Sequence, residues 1–323
     1  MKITETVENK KKVSAILKTG KKKSFIKQMK DSWQLHVLFF LPLMYLIVFH
    51  YIPMYGVTIA FKSFNPAQGI LGSPWIGFDH FIRFFQSHEF WRLIKNTLFL
   101  SFYQLIAGFP FPIILALSLN YVNKRRFKKT MQMVSYAPHF ISVVVMAGII
   151  LIFLEPSGPI NGLLQLLGFE TNHFMSNPDY FKSIYVWSGI WQSVGFGCII
   201  YLAALSSVSP ALHEAATIDG ATKLQRIWHI DIPGILPITI ILLILDMGNI
   251  LNIGFEKALL LQNPLNLRTS EIIDTYVYKV GLVSAIPNYS YAAAIGLFKS
   301  IIGLILIYSV NKFAKKVGQE SLW

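Results

Sequence analysis

Two ionisable residues sit in the middle of long apolar stretches of this chain, Asp246 and Lys299. A charge at the centre of a bilayer costs about 3 kcal/mol on insertion scales, so such a group faces a partner, a wet cavity or a proton pathway. Counted along two antiparallel rods, Asp246 and Lys299 lie at nearly the same depth, and an ion pair between them is expected. Two other roles stay open: Lys299 meeting the carboxylate of an acidic substrate, and Asp246 titrating in a proton-coupled carrier. Around them lie Tyr136, His139, Trp191, Gln192, Ser193, Phe196, Asn249 and Asn252. Hydrogen-bonding groups and flat aromatic rings inside a helical bundle suit a pathway for a polar substrate. The same polar types also join membrane helices to one another.

Other chemistry is excluded by spacing. Gly20-Lys21 lacks the earlier glycine of a phosphate-binding loop and lies in a Lys-rich tail rather than after a strand, so this chain is not expected to hydrolyse ATP. His213-Glu214 begins like HExxH, but Thr217 stands where the second histidine is required, and no metal site is expected. With neither motif complete, the chain is read as no enzyme.

The elements that must position these residues are membrane helices. With 54% apolar and 14% charged residues and a mean hydropathy of +0.50, the composition is far from that of a soluble domain. Runs of about 20 mostly apolar residues, long enough to cross roughly 30 Å of hydrocarbon, predict an all-α membrane protein with six transmembrane helices. The spans are placed at about 36–61, 96–120, 131–154, 183–205, 235–255 and 290–311. Pro42, Pro53, Pro110 and Pro112 are expected to kink their spans, and an interfacial helix is expected over 78–95. Residues 1–33 read as a Lys-rich arm and 34–323 as one helical membrane domain.

Basic residues in short flanking loops stay on the cytoplasmic side. The first 33 residues carry ten Lys, the loop at 123–130 five bases, and the end of the chain Lys312, Lys315 and Lys316, whereas 155–181 carries no Lys or Arg. Both termini, and the segment at 206–233, are therefore expected in the cytoplasm. The net charge of +13 sits beside spans rather than on a folded basic domain, so nucleic acid is not an expected partner. The first apolar run is too long for a cleavable signal peptide. The single cysteine, Cys198, fixes no redox compartment.

Residues 214–233, EAATIDGATKLQRIWHIDIP, form a polar, Ala-rich, Gly-broken segment between two spans. Ser209 and Pro210 suit the start of a short helix. Ala215 and Ala216 let another surface approach closely, and Gly220 suits a helix end. A second helix is expected from about Thr222 to Asp231, stopping before Pro233. The Glu-Ala-Ala triplet, with Gly220, Ile230 and Pro233 at their offsets, resembles the EAA loop of ATP-binding-cassette (ABC) importer permeases, with Ile232 where Leu is usual.

The likeness runs from about His36 to the C-terminus and is strongest to carbohydrate-uptake permeases. GPINGLL at 158–164 and SPALHEAATIDGA at 209–221 carry it. YGVTIAFKSF at 55–64 and DMGNILNIGFEKALLL at 246–261 resemble the branch that imports oligosaccharides released from complex polysaccharides, including uronate-bearing ones. The resemblance implies a type I ABC importer permease fold in a bacterial cell membrane, with Glu214, Ala215, Ala216, Asp219, Gly220, Ile230 and Pro233 gripping an ATPase. It further implies a second, different permease chain completing the pore, two ATPase subunits that carry the ATP and Mg, and an extracellular sugar-binding protein. The transported species would be an oligosaccharide, and this chain would need no cofactor of its own. A proton-coupled secondary sugar transporter using Asp246 explains the acid but leaves the EAA-like segment without a role.

Overall fold

The computed structural model describes residues 32–316; the expected Lys-rich arm, up to residue 31, lies outside them. The chain divides into two compact units, residues 1–58 and 59–323. Among the described residues the architecture is all helical, the one strand-like feature being an isolated bridge between Lys62 and Trp75.

An apolar helix, α1, runs from Trp33 to Phe61, nearly all of it in the first unit. Pro42 lies inside its α-helical stretch, and a π-helical turn at Ile47–Tyr51 precedes Pro53. A wider turn there relieves the clash between a proline ring and the carbonyl four residues back, so the rod continues where a break would otherwise fall.

The second unit holds the bundle. A short helix α2 (Asp79–Phe85) is followed by α3 (Phe90–Asn120), a crossing helix that passes through Pro110 and Pro112. The interfacial helix expected over 78–95 is therefore two pieces, because the chain turns at Gln86–Glu89 and span two starts already at Phe90. The third crossing departs further from expectation. Instead of one rod at 131–154 there are α4 (Arg125–Phe140) and α5 (Val143–Phe153), bent by 101°. Pro138 falls in a 3₁₀ turn, and the Ser142 side chain accepts the Val145 N–H, so a new helix starts on a fresh cap. Among the described residues five helices are long and apolar enough to cross a membrane, and the count reaches six when the bent pair is one span.

After α6 (Pro159–Leu166) come the central crossing helix α7 (Pro178–Ser206), the short α8 (Pro210–Ile218), and α9 (Lys223–Gly248). Then follow α10 (Phe255–Leu261), α11 (Ile273–Tyr278) and α12 (Tyr289–Lys316). α7 is the hub. Its buried Phe181, Tyr185, Val186 and Ile190 pack with Leu100 of α3, Met146 and Ile150 of α5, and Ala258 and Leu261 of α10. Further along, Cys198, Tyr201 and Leu205 pack with Ala116, Leu117 and Leu119 of α3 and Ile235 of α9. Gly195 makes the crossing with α4 possible, since a Cβ there would sit 1.9 Å from the Ser135 carbonyl oxygen.

Candidate functional site

Two regions bring the chemistry-bearing residues together, and α9 joins them. The first is the elbow between α7 and α9. α8 begins at Pro210, where a missing N–H costs no hydrogen bond. It ends at Gly220 with φ +77°, a left-handed conformation that lets the Ala221 N–H reach the Ala216 carbonyl at 2.8 Å. Thr222 then caps α9 in a reciprocal box with Gln225. Glu214, Ala215, Asp219 and Gly220 are exposed, Ala216 partly so, and Ile218 projects 87% exposed beside Leu212, Leu224 and Trp228. Large apolar side chains left bare around a small-residue helix mark a docking surface.

The second expected elbow helix does not stop before Pro233. It continues into the crossing as one helix, through a π-helical turn at Ile227–Asp231 that loosens the backbone just ahead of the proline ring. The elbow is fastened from beneath by Asp231, which is fully buried. Tyr121, just past the end of α3, donates its hydroxyl to Asp231 Oδ2 at 2.6 Å, and His213 Nε2 of α8 lies 3.3 Å from Oδ1. Burial first, then the bond to and charge of Asp231, push the Tyr121 pKa up to about 12. Arg226 donates to Thr217 Oγ1 at 2.9 Å, tying α9 back to α8. One carboxylate thus links α3, α8 and α9.

The second region is an open cavity of about 410 Å³ lined by α3, α7 and the end of α9. Ser101, Gln104, Gly108 and Pro112 line it from α3, Gly189, Ser193, Gly197 and Tyr201 from α7, and Asp246 and Asn249 from the end of α9, with Asn252 just beyond. Ser101 Oγ and Gln104 Oε1 are buried without a hydrogen-bond partner. Buried polar atoms left unsatisfied beside an open space are ready for a polar ligand.

Of the residues expected to line a pathway, Ser193, Asn249 and Asn252 border this cavity, together with Asp246. The other five take different places. Gln192 donates to the Ile141 carbonyl at 3.0 Å and so supports the α4–α5 bend. His139 stacks on Phe196 with ring centroids 4.0 Å apart, Tyr136 packs against Cys198, and Trp191 is exposed away from the cavity lining. The α3 contribution went unread because Ser101 and Gln104 are thinly scattered in an apolar run. Their spacing with Gly108 and Pro112, at steps of three or four, is the one signal of a shared face.

The expected Asp246–Lys299 ion pair is replaced by another. Lys299 Nζ lies 2.7 Å from both carboxylate oxygens of Asp274 and donates to Asn252 Oδ1 at 3.1 Å. Asp246 has no base within ion-pair distance among the described residues and faces the cavity. Asp274 reaches Lys299 because α11 packs beside the start of α12, a contact that the span pattern did not foretell. A neighbouring carboxylate, Glu271, is held by Arg92 and by Lys279 at 2.8 Å.

With this geometry in view, the family model for the inner membrane component of binding-protein-dependent transport systems matches residues 108–319. The chain belongs to that family. Its Glu214-Ala215-Ala216 triplet is the EAA motif typical of these ABC permeases. The chain is 43% identical over 99% of its length to all of Protein LplB of Bacillus subtilis (strain 168). It is 41% identical over 96% of its length to 96% of a polygalacturonan/rhamnogalacturonan transport system permease protein, YteP, of the same organism. Among solved structures it is similar to a chain of a bacterial ABC transporter involved in the import of the acidic polysaccharide alginate. That likeness has TM-score 0.83 and 41% identity, and covers 90% of this chain and 98% of that one. The helical arrangement is thus an ABC permease fold, and the elbow and most of the cavity lining fall within the matched family region, Ser101 and Gln104 lying before it.

Proposed function

We propose that this permease is one half of the translocation pore of an ATP-driven importer for oligosaccharides, uronate-containing polysaccharide fragments in particular. The observation that carries the reading is mechanical: α9 begins in the exposed EAA elbow and ends in the polar cavity with Asp246 and Asn249. A push on the elbow is therefore applied to the cavity wall itself. Two relatives named for polygalacturonan or alginate transport favour a sugar acid as cargo. In this reading six helices cross a bacterial cell membrane, both termini and the elbow lie in the cytoplasm, and Glu214, Ala215, Ala216, Asp219, Gly220, Ile230 and Pro233 receive two ATPase subunits that hold ATP and Mg. A second, different permease chain completes the pore, and an extracellular sugar-binding protein delivers the cargo.

Asp246, with no base within ion-pair distance among the described residues and facing the cavity, keeps a proton-coupled carrier as the rival. Uptake of labelled trigalacturonate into proteoliposomes holding the assembled complex separates the two. ATP-dependent uptake that survives a protonophore supports the importer, and uptake driven by a proton gradient without ATP refutes it.

A further inference from the structure

The cavity wall supplied by α7 follows one helical stripe, Gly189, Ser193, Gly197 and Tyr201, and the next position along it, away from the elbow, is Tyr185. Lys257 of α10 sits against that end of the stripe. Its Nζ donates to the Tyr185 carbonyl at 2.9 Å and stands 4.8 Å from the centre of the Tyr185 ring. A Cβ on Gly189 would lie 3.3 Å from the same nitrogen. The ammonium therefore fills the space that a side chain at 189 would occupy, next to a glycine that lines the cavity, and is not itself part of the lining.

Lys257 is only 8% exposed, and among the described residues no carboxylate lies within ion-pair distance of it. Lys299 makes the contrast, with its own Asp274 and Asn252. A buried ammonium is costly unless paired. One carbonyl and one ring face answer part of that cost, and two of its three protons have no partner among the hydrogen bonds of the described residues. Burial alone pushes its pKa down, to about 8.

We propose that Lys257 is the specificity-determining cation of this cavity, receiving a carboxylate of the sugar acid at the end away from the elbow, while Ser101, Gln104, Asn249 and Asn252 meet hydroxyls. The assignment rests on the importer reading above and deepens it. It moves the role of acid receptor from Lys299, whose charge is already spent on Asp274, to a lysine on a short helix outside the crossing segments.

The test compares trigalacturonate with its methyl ester as cargo for the whole reconstituted complex, wild type against Lys257→Met, Lys257→Gln and Lys257→Arg. The readout is the ratio of kcat/KM for acid over ester, each variant being measured with the same binding protein. Loss of a charge-assisted hydrogen bond lowers that ratio about tenfold or more in Met and Gln, and Arg restores most of it. Gln keeps a donor for the Tyr185 carbonyl, so a lysine that merely tethers α10 to α7 leaves the ratio unchanged, which overturns the assignment. Failure of both Met and Gln to assemble overturns it as well, because the charge would then be structural. If wild type itself shows no ATP-dependent uptake of either cargo, the importer reading falls first; if it takes up the acid and the ratio is indifferent to residue 257, only the role of Lys257 falls.

Discussion

Lys299 and Asp274 are the residues whose pairing most constrains this bundle, since each is largely withdrawn from water and the ammonium touches both carboxylate oxygens. Removing one partner of such a pair leaves an uncompensated charge at a cost of about 3 kcal/mol, the lower end for buried pairs because Asp274 keeps some exposure. Lys299→Met should therefore lower thermal stability in detergent, and Lys299→Met with Asp274→Asn should recover much of the loss. Asp246→Asn in the Lys299→Met background should add its own effect independently, a cycle that separates the observed pair from the one that depth alone suggests. That misassignment has a physical source. Matching depths assumes two straight rods and counts only spans, but α9 ends at Gly248, and the acid that answers Lys299 arrives on a six-residue helix inside a segment whose mixed composition reads as a loop. Ser193, Asn249 and Asn252 were legible because a polar residue in an apolar span has few reasons to be there. Lys257 was not, because a lysine between spans looks solvated until α10 is seen to be packed into the core.

At the scale of elements, two glycines make opposite demands. Gly220 stands at φ +77° with open space around it, so the obstacle to another residue is conformation alone. A β-branched side chain at that angle costs ~1–3 kcal/mol. Gly220→Val should therefore leave the bundle folded, loosen the turn from α8 into α9, and reduce the ATPase recovered with the permease on purification in mild detergent. Gly195 has ordinary backbone angles but no room, and Gly195→Ala should abolish stable protein by driving α7 away from the Ser135–Tyr136 backbone. Gly148→Ala, with nothing near its Cβ, is the control that should express normally. Span existence was readable from composition, as was the start of α8, because apolar length and the Ser209-Pro210-to-Gly220 punctuation are local signals. The sharp bend between α4 and α5 and the passage of α9 through Pro233 were not. Both depend on whether a proline's lost hydrogen bond is absorbed by a π or 3₁₀ turn, and the surrounding helices decide that.

For the whole molecule, the decisive question is whether the elbow and the cavity move as one body. Asp231 ties α9 to α3 through Tyr121 and to α8 through His213, so a displacement of α8 reaches two of the three cavity walls through a single buried carboxylate. α7, which supplies the third wall, is joined to α8 by only a few residues. α7 also packs along α3 and α9, so movement of the elbow should shift the three walls together and change access to Ser193. Cys198, the chain's one cysteine, is buried, so a Ser193→Cys variant offers one accessible thiol inside the cavity. Its labelling by a membrane-impermeant maleimide, applied to one face of the vesicle at a time, should switch faces between the nucleotide-free and ATP-trapped complex. Tyr121→Phe, which removes the donor to Asp231 and leaves that carboxylate short of a partner, should blunt the switch while ATP hydrolysis continues. Labelling that is indifferent to nucleotide in the unmodified elbow would show the cavity to be fixed, and the link through Asp231 would then be a brace rather than a lever.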